Sequence, residues 1–535
     1  MAERLRFLPA GSDALLVELK DLETTLMLLG GLQANRPDGV TELIPAARTL
    51  LVGFDRRVTN PIALAETIAR IDLSTKSSRH GESFEVPVTY DGDDLNDVAE
   101  LLGWSVKELI RRHTEATYTV AFTGFAPGFA YMTSDDPAFD VPRRKSPRVR
   151  IPAGSVALGG KFGGIYPTDS PGGWQLLGRT PLNTWDTSRP RAALLAPGDR
   201  VHFSDMAKGD SVPISAKPSS SEVSILQLKN EEGLFVTRAD RPALFQDLGR
   251  PSQAGQGVSL SGALDRQSLI EANVCVGNPR GSAVIEIAYG GFAIQPDRPV
   301  TLAVTGAPTP MTIRTTDGRS VDAPIGRPFA LDAGDELALE YPPEGTRSYL
   351  AVRGGFAVDK VLRSAATDTL AKIGPTPIAV GDVLAFANEA VAAVDPDRPI
   401  SGKLPKAGDT VTLDVALGPR TDWFTERGLT TLLTQEWQVT AESSRVGVRL
   451  AGAEPLEQAD TSELPSEGTS LGAIQVPRSG QPVLFLADHP LTGGYPVIGV
   501  VAAHHLDLAG QVPIGAKIRF NAIAPFDPLL RESAR

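Results

Sequence analysis

The chain has 535 residues, 41% of them hydrophobic and 22% charged, with a formal net charge of −12. That balance excludes a basic nucleic-acid-binding face as the dominant feature, and at ~150 residues per domain the length predicts three or four domains. The 52 glycines and 43 prolines favour many short elements joined by tight turns over long helices.

In chain order, "LRFLPAGSDALLVEL" has strand character and "DLETTLMLLGGL" reads as a helix. "TNPIALAETIARID" offers Asn60 as N-cap and Pro61 as first helical residue. Together these form a small α+β unit over residues 1–82. The opening "MAERLRFLPAGSD" has no apolar signal core, and no run approaches the ~18 apolar residues of a membrane helix. Neither secretion nor a membrane contact is expected, which leaves the cytoplasm.

A second unit, 83–207, opens at "SFEVPVTYDG" and continues through "DLNDVAELLG" and "SVKELIRRHTEA", the latter led by a Ser105-x-x-Glu108 capping box. His113 ends that helix, where a cation is favourable. Strands and turns follow up to "APGDRVHF". Ser, Pro and Lys dominate 208–222, which reads as a linker. The remainder divides at a weaker seam into β-rich parts 223–390 and 391–535. "LDRQSLIEANVCVGNP" is helix-like and contains Cys275 as a small buried hydrophobe. With no second cysteine, no intramolecular disulfide exists.

Several segments echo one another. "PGDRVHF", "AGDELALEY", "VGDVLAF" and "IGAKIRF" each place a glycine-led turn before an alternating strand. "IPAGSVALGGKFGGIYP" and "LGAIQVPRSGQPVLFLADHPLTGGYP" both run from a strand with a Val/Ile-Pro corner to a Gly-Gly, Tyr-Pro turn. Duplicated barrel-like units are predicted.

Familiar motifs fail on spacing. "GSVALGGKF" has Ser155 where a phosphate loop needs Gly, and Phe162 after Lys161 in place of Ser or Thr. "GTSLG" satisfies G-x-S-x-G, but "AIQVP" follows as a strand where a nucleophile elbow needs a helix. The six histidines, His80, His113, His202, His489, His504 and His505, form no metal-ligand pattern, so no metal is expected. As parts of a strand, His504 and His505 would face opposite ways. Polar groups cluster around forced turns at 143–155, 163–175, 259–286 and 466–496. In the second of these, Tyr166, Asp169, Ser170 and Gln175 either share a cleft or form an Asx turn beside core aromatics Tyr166 and Trp174.

"YTVAFTGFAPGFAYM" with "PRRKSPRVRIPAGSVALGGKFGGIYPTDSPGGWQLLGRTPL" resembles subunit 1 of the allophanate hydrolase family, which includes the B component of 5-oxoprolinase and a sporulation-kinase inhibitor. "FQDLGRPSQAGQGVSLSGALDRQSLIEANVCVGNPRGSAVIEIAYGG", "SSRVGVRL" and "GAIQVPRSGQPVLFLADHPLTGGYP" resemble subunit 2, which includes the C component of 5-oxoprolinase and the inhibitor's antagonist. Both also resemble the carboxyltransferase region of urea carboxylase. The resemblance implies a mainly β fold with α+β parts: duplicated cyclophilin-like β-barrels plus the small N-terminal α+β domain. Leu491 stands where a second Thr is expected ahead of Thr492-Gly-Gly-Tyr-Pro.

The function implied is ATP-dependent opening of 5-oxoproline to glutamate with a separate A-type subunit, the ATP being bound together with that partner. A homo-oligomer is expected. Under this reading Arg148, Arg150 and Lys161 supply positive charge, and Asp169 or Asp265 manages protons. Ser155, Tyr166, Ser170, Gln175 and Ser261 are candidate substrate contacts, as are Glu286, Glu467, Gln475, Thr492 and Tyr495. The alternative is carboxyl transfer in a biotin-dependent urea or amide carboxylase system, with His489 as proton acceptor. No methionine precedes a lysine, so biotin would arrive only on a separate carrier. A non-enzymatic, kinase-inhibitor-type binding module is the third reading.

Overall fold

Apolar alternation in the first twenty positions builds two strands, Arg4–Pro9 and Ala14–Glu18, paired antiparallel. The computed structural model, which describes residues 4–73, 81–144, 146–207, 232–396 and 402–532, sets them in a five-stranded sheet with Thr49–Phe54 and Val40–Pro45 on one side. The linker expected at 208–222 and His80 lie outside the described residues. The sheet's fifth strand is Leu529–Glu532, which pairs with Arg4–Pro9 from Arg4↔Glu532 to Phe7↔Leu529. The unit read as 1–82 thus takes its edge strand from the segment read as the end of 391–535. Helices Leu22–Ala34 and Pro61–Ala69 bury Leu28, Leu29, Leu64 and Ile68 against Phe7, Val17 and Val52. Asp21 caps the first by accepting from Thr24 N at 2.9 Å. Asn60 caps the second by accepting from Ile62 N and Ala63 N, with Pro61 where no N–H is needed.

The next unit is a seven-stranded sheet, in the order Gln175–Arg179, Ser155–Gly159, Phe162–Ile165, Ala130–Ser134, Tyr118–Thr123, Arg200–Asp205, Ser83–Val88. A Thr89↔Arg179 bridge brings its two ends together, so the sheet is nearly a barrel. Ser105 caps helix Val106–Glu115 by accepting from Glu108 N at 3.1 Å. His113, expected as a cation at that helix's end, is instead fully enclosed by Tyr118, Phe139 and Phe203. Burial pushes its pKa down to about 3, so it is a neutral core residue bonded to the Tyr90 hydroxyl at 2.7 Å.

The third unit packs two antiparallel sheets of six and five strands around one core, with helix Arg266–Cys275 against strands Val300–Gly306 and Arg347–Val352. Cys275 is buried there. The fourth is a closed seven-stranded barrel running from Thr410–Leu417 to Lys517–Ala524. Both barrel units pair their first and last strands in parallel: Ser83–Val88 beside Arg200–Asp205, and Thr410–Leu417 beside Lys517–Ala524. Their last strands are the echoed "DRVHF" and "AKIRF". Each unit also carries a two-stranded ribbon beside its glycine-rich corner, Arg148–Ile151 with Ser170–Gly172 and Glu467–Gly468 with Thr492–Gly493. Among the described residues no helix is long and apolar enough to cross a membrane.

Candidate active site

A cavity of about 480 Å³ lies where the first sheet, the segment 250–266 and the corner of the closed barrel meet. Its size suits a small-molecule site, typically ~300–1,000 Å³. Much of the wall is apolar, with Ile44, Leu51, Leu260 and Leu264 among its members. Arg250, Arg266, His489, Ser470, Asp13 and Glu42 add polar groups.

His489 reaches this wall because its neighbour is immobilised. Asp488 is fully buried, held by Arg445 (2.9 and 3.0 Å), Ser261 Oγ (2.6 Å), and the Thr369 backbone N–H and hydroxyl. Burial alone would raise the Asp488 pKa, but the Arg445 charge and these donors hold it below the usual carboxylate value. The next residue then turns its ring over Phe485, with centroids 5.8 Å apart and planes 12° from parallel. His489 Nδ1 lies 2.9 Å from the Pro490 carbonyl, which only accepts, so Nδ1 carries the hydrogen and Nε2 keeps its lone pair. Burial lowers the ring's pKa despite the Pro490 carbonyl and Asp488, leaving a neutral imidazole able to take a proton.

Other sequence candidates stand behind the wall. Glu286 accepts from Leu264 N, the Tyr349 hydroxyl and Arg445. Ser261, at φ 51°, turns the backbone so that its hydroxyl meets Asp488. Asp265 caps helix Arg266–Cys275 and also accepts from Ser268 Oγ and Gln511 Nε2; burial raises it to about 6. These three shape the cavity without lining it.

The two glycine-rich corners are linked through residues of the first barrel, Gly124 and Arg143. A Cβ on Gly124 would lie 2.5 Å from Thr492 Oγ1, which is buried and, among the described residues, has no hydrogen-bond partner. Tyr131 packs on Trp174 at 5.6 Å, and Phe129 on Tyr166 at 5.3 Å. Arg143 lies 5.9 Å over Trp174 and 3.5 Å from Glu463. Thr492 is buried in this contact, Gln475 donates to the Tyr495 carbonyl at 3.3 Å, and the Tyr495 ring is about half exposed. Glu467 pairs with Arg420 in a separate charged hollow of about 370 Å³ beside Arg6 and Glu18.

The remaining candidates brace the first barrel's ribbon. Arg148 and Arg144 clasp the buried Asp94. Ser155 Oγ donates to Pro152 O, Ser170 Oγ to Thr168 O and Gln175 Nε2 to Pro142 O. Tyr166 is a core aromatic whose pKa burial raises. Asp169 is an exposed ion pair: it accepts from Ala153 N at 3.0 Å and Arg150 Nε at 2.7 Å, and these bonds lower its pKa. The cavity is lined by none of these residues. His504 and His505 sit on a 3₁₀ turn, not a strand, so their rings come together at 4.4 Å beside Asp414 on the barrel's outer side. His505 Nδ1 already accepts the Asp414 backbone N–H.

Sequence reasoning missed Arg250, Arg266, Asp13 and Glu42. Arg250 and Arg266 lie inside stretches that carry the family resemblance, each directly after a turn residue, Gly249 or Asp265. Asp13 and Glu42 come from the small first unit, where no motif marks them.

The profile for the carboxyltransferase domain, subdomain C and D, matches residues 5–195, and that for subdomain A and B matches 256–522. The B component of 5-oxoprolinase from Escherichia coli O157:H7 is 39% identical over 178 residues, covering 32% of this chain and 80% of that protein. The C component of 5-oxoprolinase from Haemophilus influenzae is 32% identical over 302 residues, covering 55% of this chain and 90% of that protein. The crystal structure of TTHA0988 superposes with a TM-score of 0.79 at 31% identity, covering 95% of this chain and 99% of that one. A urea amidolyase of Lachancea kluyveri is 31% identical over 332 residues, which cover 58% of this chain and 17% of that protein.

Proposed function

Because this chain belongs to the carboxyltransferase-domain family, that of the fused allophanate hydrolase subunits 1 and 2, we propose that it is the B–C component of an ATP-dependent 5-oxoprolinase. In this reading it opens 5-oxoproline to glutamate together with a separate A-type subunit. The observation that carries it is the order of the two halves: similarity to a B component, then to a C component, each match covering most of the relative's length.

A lactam is resonance-stabilised, so its opening needs activation of the amide oxygen, which ATP supplies. Among the described residues, the three cations read from the sequence do not form a nucleotide cradle. Lys161 is exposed at the tip of a hairpin turned by Gly160, while Arg148 and Arg150 are committed to Asp94 and Asp169. Nucleotide handling is therefore assigned to the partner. This chain's contribution is the cavity and His489. Water adds to the lactam carbonyl carbon, giving a proton to His489 Nε2; the ring C–N bond then breaks, His489 returns that proton to the leaving nitrogen, and the phosphoryl group taken from ATP leaves as inorganic phosphate by hydrolysis of the acyl phosphate.

Glutamate release from 5-oxoproline and ATP, measured with and without the A-type subunit, tests this reading. Release only in the complete mixture is expected, and none there would refute it. The urea amidolyase similarity keeps carboxyl transfer from a separate biotin carrier as the second reading. It predicts instead carboxylation of an amide nitrogen when a carboxylase and carrier are added.

A further inference from the structure

Glu42 is a cavity-wall carboxylate that the fold supplies with neither a countercharge nor a short hydrogen bond. It is half-buried on strand Val40–Pro45 and spans the gap between the first sheet and the 250–266 segment, accepting from Ser252 N and Ala254 N at 3.3 Å each. Both bonds are longer than the ~2.7–3.2 Å of ordinary N–H···O bonds. Among the described residues no Lys or Arg nitrogen lies within 4.0 Å of its oxygens. Arg36, whose charge acts on it, donates instead to the Val40 and Thr41 carbonyls at 3.0 and 2.6 Å. Burial outweighs these influences and raises the Glu42 pKa. The other acids of the wall are served: Asp507 accepts from Arg266 N at 2.9 Å and Gln267 N at 3.3 Å, and Asp13 is exposed to water.

A carboxylate drawn partly out of water, with lone pairs still unused, favours a ligand that brings N–H donors and disfavours one that faces it with a lone pair. Glu42 lines the same cavity as His489. In a lactam acid the ring N–H is such a donor, whereas the ring carbonyl and the carboxylate only accept. We propose that Glu42 is the specificity residue of the cavity, accepting the hydrogen bond of a cyclic amide's N–H. That contact selects the amide over an ester of the same shape. Once the ring opens and the nitrogen is protonated, the same carboxylate faces an ammonium, and the bond becomes charge-assisted. This rests on the reading of the cavity as the lactam site and adds the partner of the substrate's nitrogen. Glu42 is a binding residue here, with no part in proton transfer.

Titration calorimetry on the full chain, without the A-type subunit, tests it with two acids that differ at one ring position. These are 5-oxoproline and its lactone analogue, 5-oxotetrahydrofuran-2-carboxylate, which has oxygen in place of the N–H. Carboxylate and carbonyl are common to both. Saturable binding of 5-oxoproline is expected, at least about tenfold tighter than the lactone. Glu42→Gln, whose amide both donates and accepts, should bring that ratio below about threefold, with a melting curve to check its fold. If that variant fails to fold, the wild-type ratio decides alone. Equal binding of the two acids by the wild type, an undiminished preference in folded Glu42→Gln, or no saturable binding of either probe overturns the assignment. Glutamate release by the complete system in those cases would leave the 5-oxoprolinase reading standing; lactam-selective binding without such release would refute that reading alone.

Discussion

Replacing Arg445 by Met should destabilise the second half of the chain more than any surface change, and should reverse the sign of part of its pH dependence. Arg445 is buried and bonds Asp488 at 2.9 and 3.0 Å, Glu286 at 2.5 Å and the Gly262 carbonyl at 2.6 Å. Both acids are themselves buried. Removing the cation leaves two carboxylates without their countercharge, a class of change that costs about 3–5 kcal/mol. For a unit of about 150–250 residues that corresponds to a Tm loss of roughly 6–20 °C. Calorimetric melts across pH 3–8 provide the assay, a range that reaches below the ordinary aspartate pKa of about 3.9. In the wild type, Asp488 titrates below its unfolded value, so its contribution is present at neutral pH and is lost on acidification. Without Arg445, burial dominates and its pKa rises above the unfolded value, so acidification through that raised pKa restores stability. Asp488→Asn and Glu286→Gln in the Arg445→Met background should recover part of the loss, since neutral amides need no countercharge. A loss below about 1 kcal/mol would refute the reasoning, since a broken buried pair costs several times that, and so would an unchanged pH slope.

Other outcomes follow from the same geometry. His113→Phe should flatten the acid limb of stability: the wild-type ring titrates near 3 when folded and near 6.5 when unfolded, so wild-type stability falls as pH drops below ~6.5, by about 2 kcal/mol at pH 5. Differential melts of variant and wild type read this directly, and parallel limbs would sink the assignment of a neutral core histidine. Gly124→Ala should cost about 1–3 kcal/mol by overpacking the contact between the two halves, with Thr492→Ala in that background recovering much of it; additive losses in chemical denaturation would show that Gly124 and Thr492 do not meet. His489→Asn should lower glutamate release by about 10²–10⁴-fold with a nearly unchanged Tm. Asp169→Ala should leave release within about twofold, because an exposed ion pair contributes little. The reverse ranking of those two in a steady-state assay would move the chemistry to the first barrel's ribbon.

Local signals were legible where a short stretch contains its own physics. Asn60-Pro61 and Ser105-x-x-Glu108 cap helices because cap and capped N–H groups are two or three residues apart. The echoed strands "DRVHF" and "AKIRF" close equivalent barrels because a glycine-led turn and an alternating strand fit one place in such a sheet. The pairing of Leu529–Glu532 with Arg4–Pro9 has no local signature, since a four-residue strand carries too little pattern to name its partner.

The site shows the same boundary more sharply. Asp169 and His489 both sit in glycine- and proline-rich turns with neighbouring polar groups, and sequence treats them as equals. Their fates are decided by residues far away. Arg150 and solvent occupy Asp169, whereas Ser261, Thr369 and Arg445 immobilise Asp488 from three distant stretches and so hold His489 against the cavity. The cavity is likewise a product of assembly: Glu42 comes from the first unit, Arg250 from the third and His489 from the fourth. No window of sequence contains two of them, so their chemistry becomes visible only once the barrel and the first sheet close on the 250–266 segment.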